Sequence, residues 1–175
     1  FARYGFDKER AGFWKARDFE TAFAKYEGAK YALGVTSGSA ALKVALTALD
    51  IGPGDEVICP AFTFMATYEA VLEVGAIPVM ADIDETLNLD PDDIPDKITP
   101  RTKAVIPVHM CGSPARIDKI VKVAKKHKLL VLEDTAQALG ASFKGKKLGT
   151  FGNMGSFSFD HYKTITTGEG GMVVT

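Results

Sequence analysis

The 175-residue sequence has little of several features that would each assign it to a class of protein. No apolar run approaches the roughly 18 residues that would cross a bilayer. The net charge of −1 gives no reason to expect a nucleic-acid partner or an anionic membrane surface. The two cysteines, Cys59 and Cys111, indicate reduced thiols in a cytoplasmic protein rather than a disulfide framework. The first residues also lack the apolar stretch of a signal peptide.

Common ligand motifs are missing or incomplete. No G-x-G-x-x-G dinucleotide motif follows the first predicted strand, and segment 140–147 approaches a P-loop but has Lys147 where Ser or Thr is required. His109 and Cys111 stand close together, but no second cluster with metal-ligand spacing accompanies them. We therefore expect no metal site and interpret both residues as packing or pocket lining.

What is present is an alternation of short apolar runs with helical patterns. Hydrophobic residues make up 46% of the sequence and charged residues 25%, which is ordinary for a soluble domain. Several runs are continuous in Val, Ile and Leu, as in parallel strands buried on both faces. The predicted strands are Tyr31–Val35, Glu56–Cys59, Ile77–Ala81, Ala104–Val108, Leu129–Leu132, Met154–Phe159 and Gly171–Val174.

Helical periodicity covers Ser39–Leu49, Phe64–Val74 and Pro114–His127, the last with a lysine-rich face that a solvated helix surface explains. The alternation predicts an α/β fold with a mostly parallel seven-stranded sheet and helices on both faces. The connection between the last two strands is too short for a crossover helix, so the final strand should be antiparallel. The acidic stretch Asp82–Asp96 is predicted to be an exposed connection with a short helical turn.

Lys163 is the first candidate for chemistry. A Ser/Phe alternation over 156–159 precedes it, and a Thr/Gly-rich turn follows it directly. A lysine at such a turn can form a Schiff base with an aldehyde cofactor. Most lysines are solvated surface charges, so this residue alone decides nothing.

Three further segments follow predicted strands. The small hydroxyl residues and Gly38 over 36–42 open a helix, which suits either a phosphate site or an ordinary N-cap. Glu133 and Asp134 end a hydrophobic strand, where a carboxylate could hold a pyridine nitrogen protonated or simply hold a loop. In segment 60–67, Phe64 could stack on a flat ring, while core packing is the better interpretation of Phe62.

In this order, the motifs resemble those of fold-type-I pyridoxal-phosphate enzymes and, in detail, of the DegT-type sugar aminotransferases. The resemblance covers nearly the whole chain. It rests on Thr36–Leu42, Gly54–Ile58, Pro60–Phe64, Glu133–Gln137 and Phe157–Gly171 with Lys163 inside the last segment.

The resemblance implies pyridoxal 5′-phosphate (PLP) as cofactor and a role for each matching residue. Lys163 would hold PLP as a Schiff base and Asp134 would pair with the pyridinium nitrogen. Gln137 would lie near the phenolic oxygen, and Phe64 would stack on the ring. The phosphate would contact Ser37, Gly38, Ser39 and Ser158.

The resemblance also implies a reaction, a ping-pong transfer of an amino group from glutamate to a keto- or aldehydo-sugar, with Lys163 moving the proton. Asp160, where the family often has His, and segment 109–112 resemble a branch that aminates an octulosonate sugar acid of lipopolysaccharide. The family forms homodimers with shared active sites. Its dehydratase members carry His in place of the lysine, so Lys163 argues against them.

Two other functions stay open at this point. A regulatory PLP-binding sensor would keep the pocket without turnover, and a nucleotide-binding module is disfavoured by the missing phosphate loops. We expect residues 1–175 to form one large PLP-binding domain that is part of a longer protein. The longer protein is expected because the sequence ends on an apolar run at Met172–Thr175 with no turn after it, and the resemblance implies that a smaller C-terminal domain would follow.

Overall fold

The structure, a computed structural model, describes residues 14–175. The residues that bear on a signal peptide, and the first 13 of the predicted domain, lie outside this range. The helices are α1 Lys15–Glu27, α2 Gly38–Ala48, α3 Ala66–Glu73 and α4 Ile117–His127, with short 3-10 turns at Ile94–Lys97 and Met110–Gly112. The strands are β1 Ala32–Val35, β2 Glu56–Pro60, β3 Ile77–Ala81, β4 Thr102–Val105, β5 Leu130–Asp134, β6 Ser142–Phe143, β7 Lys146–Lys147, β8 Met154–Ser158 and β9 Gly171–Val174.

Seven strands form one sheet in the order β1-β9-β8-β5-β4-β2-β3. The pairs β2–β3, β2–β4, β4–β5 and β5–β8 are parallel. Strand β9 lies antiparallel between β8 and β1. The predicted fold class and the antiparallel final strand are therefore confirmed.

Apolar side chains cover both faces of the sheet. Neighbouring residues of β5 point to opposite sides, because strand side chains alternate: Leu132 packs with α2 and α3, while Val131 packs with α4. Helix α1 joins the α4 side through Phe23, which contacts Phe157 with ring centroids 5.0 Å apart. Helices thus cover both faces, and the carboxyl ends of the parallel strands stay open at one edge.

Four details differ from the sequence-based predictions. Helix α1 was not predicted, although Gly28 ends it in the left-handed conformation typical of a helix stop. Segment 140–147, which was rejected as a P-loop, forms the β6–β7 hairpin, and this hairpin was not predicted. Phe62 is 44% exposed, so it does not pack in the core as predicted. The acidic connection is anchored by two fully buried side chains, Leu89 and Ile94, rather than lying wholly exposed.

Within residues 14–175, the helices are all too short or too polar to cross a membrane. Cys59 is buried and Cys111 exposed, and neither forms a disulfide.

Candidate active site

A cavity of about 460 Å³ lies at the carboxyl edge of the sheet. The parallel strands β2, β4, β5 and β8 all end toward it, and the turn before α2 closes one side. All eight residues that the resemblance singled out line this cavity: Ser37, Gly38, Ser39, Phe64, Asp134, Gln137, Ser158 and Lys163. The structure thus brings together residues that are up to 126 positions apart along the chain, while their individual roles stay predictions.

The N-terminus of α2 points into the cavity. Ser37 caps the helix, since its Oγ accepts a hydrogen bond of 3.0 Å from the Ala40 N–H. The N-cap interpretation of segment 36–42 is therefore confirmed. The cap still leaves the N–H groups of Gly38 and Ser39 without an intrahelical acceptor. Those N–H groups and the positive end of the helix dipole make this turn suitable for an anion such as phosphate.

Gly38 allows a close approach that a side chain would prevent. A Cβ built on Gly38 would lie 2.7 Å from the Ser158 Cβ and 3.0 Å from its Oγ. Such distances are too short for carbon atoms, so the end of β8 can touch the start of α2 only because residue 38 is glycine. The Ser158 hydroxyl is thereby placed beside the free N–H groups of the helix.

Asp134 is the buried carboxylate of the cavity, with 6% of its surface exposed. Its Oδ2 accepts a hydrogen bond of 3.0 Å from the Thr67 hydroxyl, and its Oδ1 accepts one of 3.1 Å from the Ala136 N–H. Burial raises the pKa of the Asp134 carboxyl, and these two donors, with the charge of Lys163, oppose the rise. Each oxygen keeps a lone pair for another donor, so a cationic ring N–H would be well matched here.

Glu133, the neighbouring carboxylate, has a different task. It is fully buried, and its two oxygens accept hydrogen bonds of 2.6 to 2.8 Å from the N–H groups of Gly149, Phe151 and Gly152. His109 Nε2 lies 3.1 Å from Glu133 Oε2, while His109 Nδ1 accepts from the Ala115 N–H. An accepting Nδ1 carries no proton, so His109 is neutral and donates to Glu133. Glu133 therefore holds a loop.

Lys163 and Phe64 face each other across the cavity, with the Lys163 Nζ 6.0 Å from the Phe64 ring centroid. Phe64 is 67% exposed, so its ring is available to a ligand rather than committed to the core. The Lys163 N–H donates to the Asp160 carbonyl at 2.9 Å and fixes the turn. At the rim, Asp160, His161 and Glu169 place potential ligand atoms within 4.8 Å of one another, a grouping that surface carboxylates often form without a metal.

Gln137 is oriented by a neighbouring turn. The Cys111 N–H donates to Gln137 Oε1 at 2.9 Å, which directs the amide oxygen away from other roles. Cys111 adopts the left-handed conformation with φ of 52°, and the Asn88 side chain accepts from the Met110 N–H at 2.9 Å. One N–H of the Gln137 NH₂ group donates to Met110 Sδ at 3.7 Å, and the other is left as the donor that a phenolic oxygen would need.

Sequence reasoning did not predict that two threonines of segment 60–67 lie behind Asp134. Thr67 is fully buried and bonds Asp134, and the hydroxyls of Thr63 and Thr67 lie 2.9 Å apart. Their spacing of four residues at a helix start was the available signal, because such residues share one side of the turn.

Both the sequence and the fold of this chain are similar to those of known proteins. The DegT/DnrJ/EryC1/StrS aminotransferase family matches residues 12–175. GDP-perosamine synthase of Caulobacter vibrioides is 50% identical over 159 residues, 90% of this chain and 43% of the relative. UDP-N-acetyl-3-dehydro-alpha-D-glucosamine 3-aminotransferase of Acidithiobacillus ferrooxidans is 50% identical over 163 residues, 92% of this chain and 44% of the relative.

The solved structure of Streptococcus pneumoniae Spr1654 in its PLP form superposes with a TM-score of 0.89 at 34% identity, covering 91% of this chain and 45% of that one. The chain thus spans less than half the length of these relatives. Because the family match extends over nearly all residues and includes the cavity, this chain belongs to the DegT/DnrJ/EryC1/StrS aminotransferase family.

Proposed function

We propose that the complete polypeptide containing these residues is a PLP-dependent sugar aminotransferase. The observation that carries the proposal is the position of Lys163 and Asp134 in one cavity with the free N-terminus of α2. An amine, a buried carboxylate and an anion site are the three contacts that the aldehyde, ring nitrogen and phosphate of PLP require. The names of the relatives, and the PLP form of Spr1654, support the same cofactor and reaction class.

The residues of the cavity fit this cofactor group by group. The Gly38 and Ser39 N–H groups, with the hydroxyls of Ser37, Ser39 and Ser158, would bind the phosphate. Asp134 would accept a hydrogen bond from the protonated ring nitrogen, because both of its oxygens keep a lone pair. Gln137 would donate to the phenolic oxygen, and the exposed Phe64 ring would stack on the cofactor.

PLP, when bound, supplies an aldehyde that combines with amines and a ring that withdraws electrons from the substrate carbon. Lys163 would bind that aldehyde in the resting enzyme. Once an amino donor has displaced it, the Lys163 amine would remove a proton from the substrate carbon and return it at the cofactor carbon. Asp134 would keep the ring nitrogen protonated, so that the ring can accept the electrons.

We propose glutamate as amino donor and a keto- or aldehydo-sugar as acceptor, within a homodimer of the complete polypeptide. The finer hypothesis of an octulosonate sugar acid rests on Asp160 and segment 109–112. The relatives named above act on other sugars, so a nucleotide-linked keto-sugar is the alternative acceptor. Incubating the purified enzyme with each acceptor class and following amine transfer by mass spectrometry distinguishes the two.

The test of the reaction class is the visible absorbance of the complete polypeptide with PLP, before and after glutamate. We expect a band from lysine-bound PLP that glutamate bleaches as pyridoxamine phosphate forms. Lys163→Ala should lose this band and turnover while still binding PLP noncovalently, and Lys125→Ala, on the exposed side of α4, is the matched control.

Two outcomes contradict the proposal. Retained transamination in Lys163→Ala would remove Lys163 from the chemistry. A band that no amino donor bleaches would favour the non-catalytic PLP-binding sensor instead.

A further inference from the structure

The hydroxyls of Thr63 and Thr67 join Asp134 to the cavity wall in an unbroken chain. Thr67 Oγ1 lies 3.0 Å from Asp134 Oδ2, and Thr63 Oγ1 lies 2.9 Å from Thr67 Oγ1. Thr67 is fully buried, so water cannot replace either bond, whereas Thr63 lines the cavity. This series of hydrogen bonds begins at the N-terminal edge of α3 and ends on β5, although β4 separates β5 from β2 in the sheet.

Proton counting fixes the direction of this chain. An ionised carboxylate can only accept, so the single hydroxyl proton of Thr67 must point at Asp134. The Thr67 oxygen then accepts a hydrogen bond from the Thr63 hydroxyl. Because this bond uses the single hydroxyl proton of Thr63, only the lone pairs of Thr63 face the cavity. A proton on Asp134 Oδ2 would have to be donated to Thr67, which would reverse both bonds and turn a donor toward the cavity. The arrangement seen by a ligand at Thr63 therefore depends on the ionisation of Asp134.

We infer that Thr67 is a positioning residue, which keeps Asp134 ionised and directed at the cofactor ring, and that Thr63 supports it by donating a hydrogen bond to Thr67. This inference rests on the proposed function. A hydrogen bond to a charged acceptor stabilises it by about 1.5–3 kcal/mol. That range corresponds to roughly one to two pH units in the ionisation of the carboxyl. No other side-chain hydroxyl of the described residues donates to Asp134.

The other groups that face Asp134 do not substitute for this bond. On β2, burial raises the pKa of the Cys59 thiol, so it stays neutral. His109, beyond β4, is neutral because its Nδ1 accepts from the Ala115 N–H. Lys163, between β8 and β9, is the remaining charge, and it belongs to the catalytic chemistry. The Ala136 N–H is a backbone donor to the other oxygen and stays in every side-chain variant.

The test uses pyridoxamine 5′-phosphate as the probe, because it cannot form a Schiff base with Lys163 and so reports the ring contacts alone. Its affinity for the complete polypeptide is measured across pH for wild type, Thr67→Val and Thr67→Ser. We expect the acidic limb of the affinity profile to move up by about one pH unit or more in Thr67→Val, because the ionised carboxyl loses a donor. At a pH on that limb, Thr67→Val should bind the probe about tenfold more weakly than wild type, and Thr67→Ser should restore the wild-type affinity.

Thr102→Val is the matched control. Thr102 is also buried and also donates to a carboxylate, Glu56 Oε2, at 3.3 Å, but it lies outside the cavity. Thr102→Val should leave the acidic limb unmoved. If Thr67→Val does not fold, Thr63→Val provides the second test, since it removes only the donor to Thr67 and should shift the limb in the same direction by less.

Coincident profiles for wild type, Thr67→Val and Thr63→Val would overturn the inference, as would an equal shift in Thr102→Val. In both cases wild type still binds the probe, so the proposed function stands. A wild-type protein that binds neither PLP nor the probe would instead overturn the proposed function, and this inference with it.

Discussion

Glu27 carries a charge that the fold does not accommodate well. It is the last residue of α1 and only 2% exposed, and neither of its carboxylate oxygens has a hydrogen-bond partner among the described residues. Burial raises its pKa from 4.5 to about 7, against the opposing effects of the Lys147 charge and the Gly140 backbone. The folded protein therefore holds a proton on Glu27 at a pH where the unfolded chain has lost it.

The sign of the pH dependence follows from this difference. Below pH 4.5 the group is protonated in both states and its burial costs little. As the pH rises from 4.5 to about 7, the unfolded chain is favoured because it releases the proton first. By pH 8 the raised pKa of Glu27 corresponds to a loss of about 3 kcal/mol in the free energy of unfolding.

Glu27→Gln keeps the shape and removes the ionisation. We expect the variant to gain stability relative to wild type as the pH increases, with the difference growing by about 3 kcal/mol between pH 4.5 and 8. The measurement is urea unfolding at each pH, with amide hydrogen exchange in α1 to locate the change. Glu73→Gln is the control, because it removes the same charge from the exposed end of α3, where Glu73 pairs with Lys43 at 3.2 Å.

Parallel stability curves for wild type and Glu27→Gln between pH 4.5 and 8 would refute this reasoning. They would mean that the Lys147 charge stabilises the Glu27 carboxylate in the folded protein as well as water does in the unfolded chain.

Two further variants test the cavity directly. Asp134→Asn should still bind PLP but slow the glutamate half-reaction by about two orders of magnitude or more, since a neutral amide cannot hold the ring nitrogen protonated; an unchanged single-turnover rate in stopped-flow absorbance would remove Asp134 from the chemistry. Gly38→Ala should destabilise the fold by about 1–3 kcal/mol, because its Cβ would lie 2.7 Å from that of Ser158. Adding Ser158→Gly should recover part of that loss in chemical unfolding, and strictly additive effects would contradict the clash.

Most of the sheet could be predicted from the sequence because its central strands are buried on both faces. A continuous apolar run such as Val57–Cys59 is distinctive when it is fully buried, as it is here. Helix α1 was harder, because its buried side is narrow: Phe23 is buried but Phe19 is 38% exposed. The β6–β7 hairpin is only two residues long on each side, below the length at which alternation can be detected.

The convergence of the candidate segments could be predicted for a topological reason, while the individual residues came from the family resemblance. Parallel strands all present their carboxyl ends at one edge, so polar residues directly after successive strands must converge there. The contact between Thr67 and Asp134 could not be predicted in the same way. It depends on the spatial order β5-β4-β2 and on the rotation of α3 over that edge, neither of which the linear sequence states.

The adjacent carboxylates Glu133 and Asp134 show where sequence reasoning stops and geometry decides. In the sequence they are equivalent, two acids at the end of one strand. Because strand side chains alternate, one must point to each face of the sheet. On one face three backbone N–H groups and His109 Nε2 saturate the two oxygens of Glu133, which leaves it no free capacity for a ligand. On the other face Asp134 receives two donors and keeps two lone pairs toward the cavity. The number of donors each carboxylate already has, rather than its residue type, makes Asp134 the one available for chemistry.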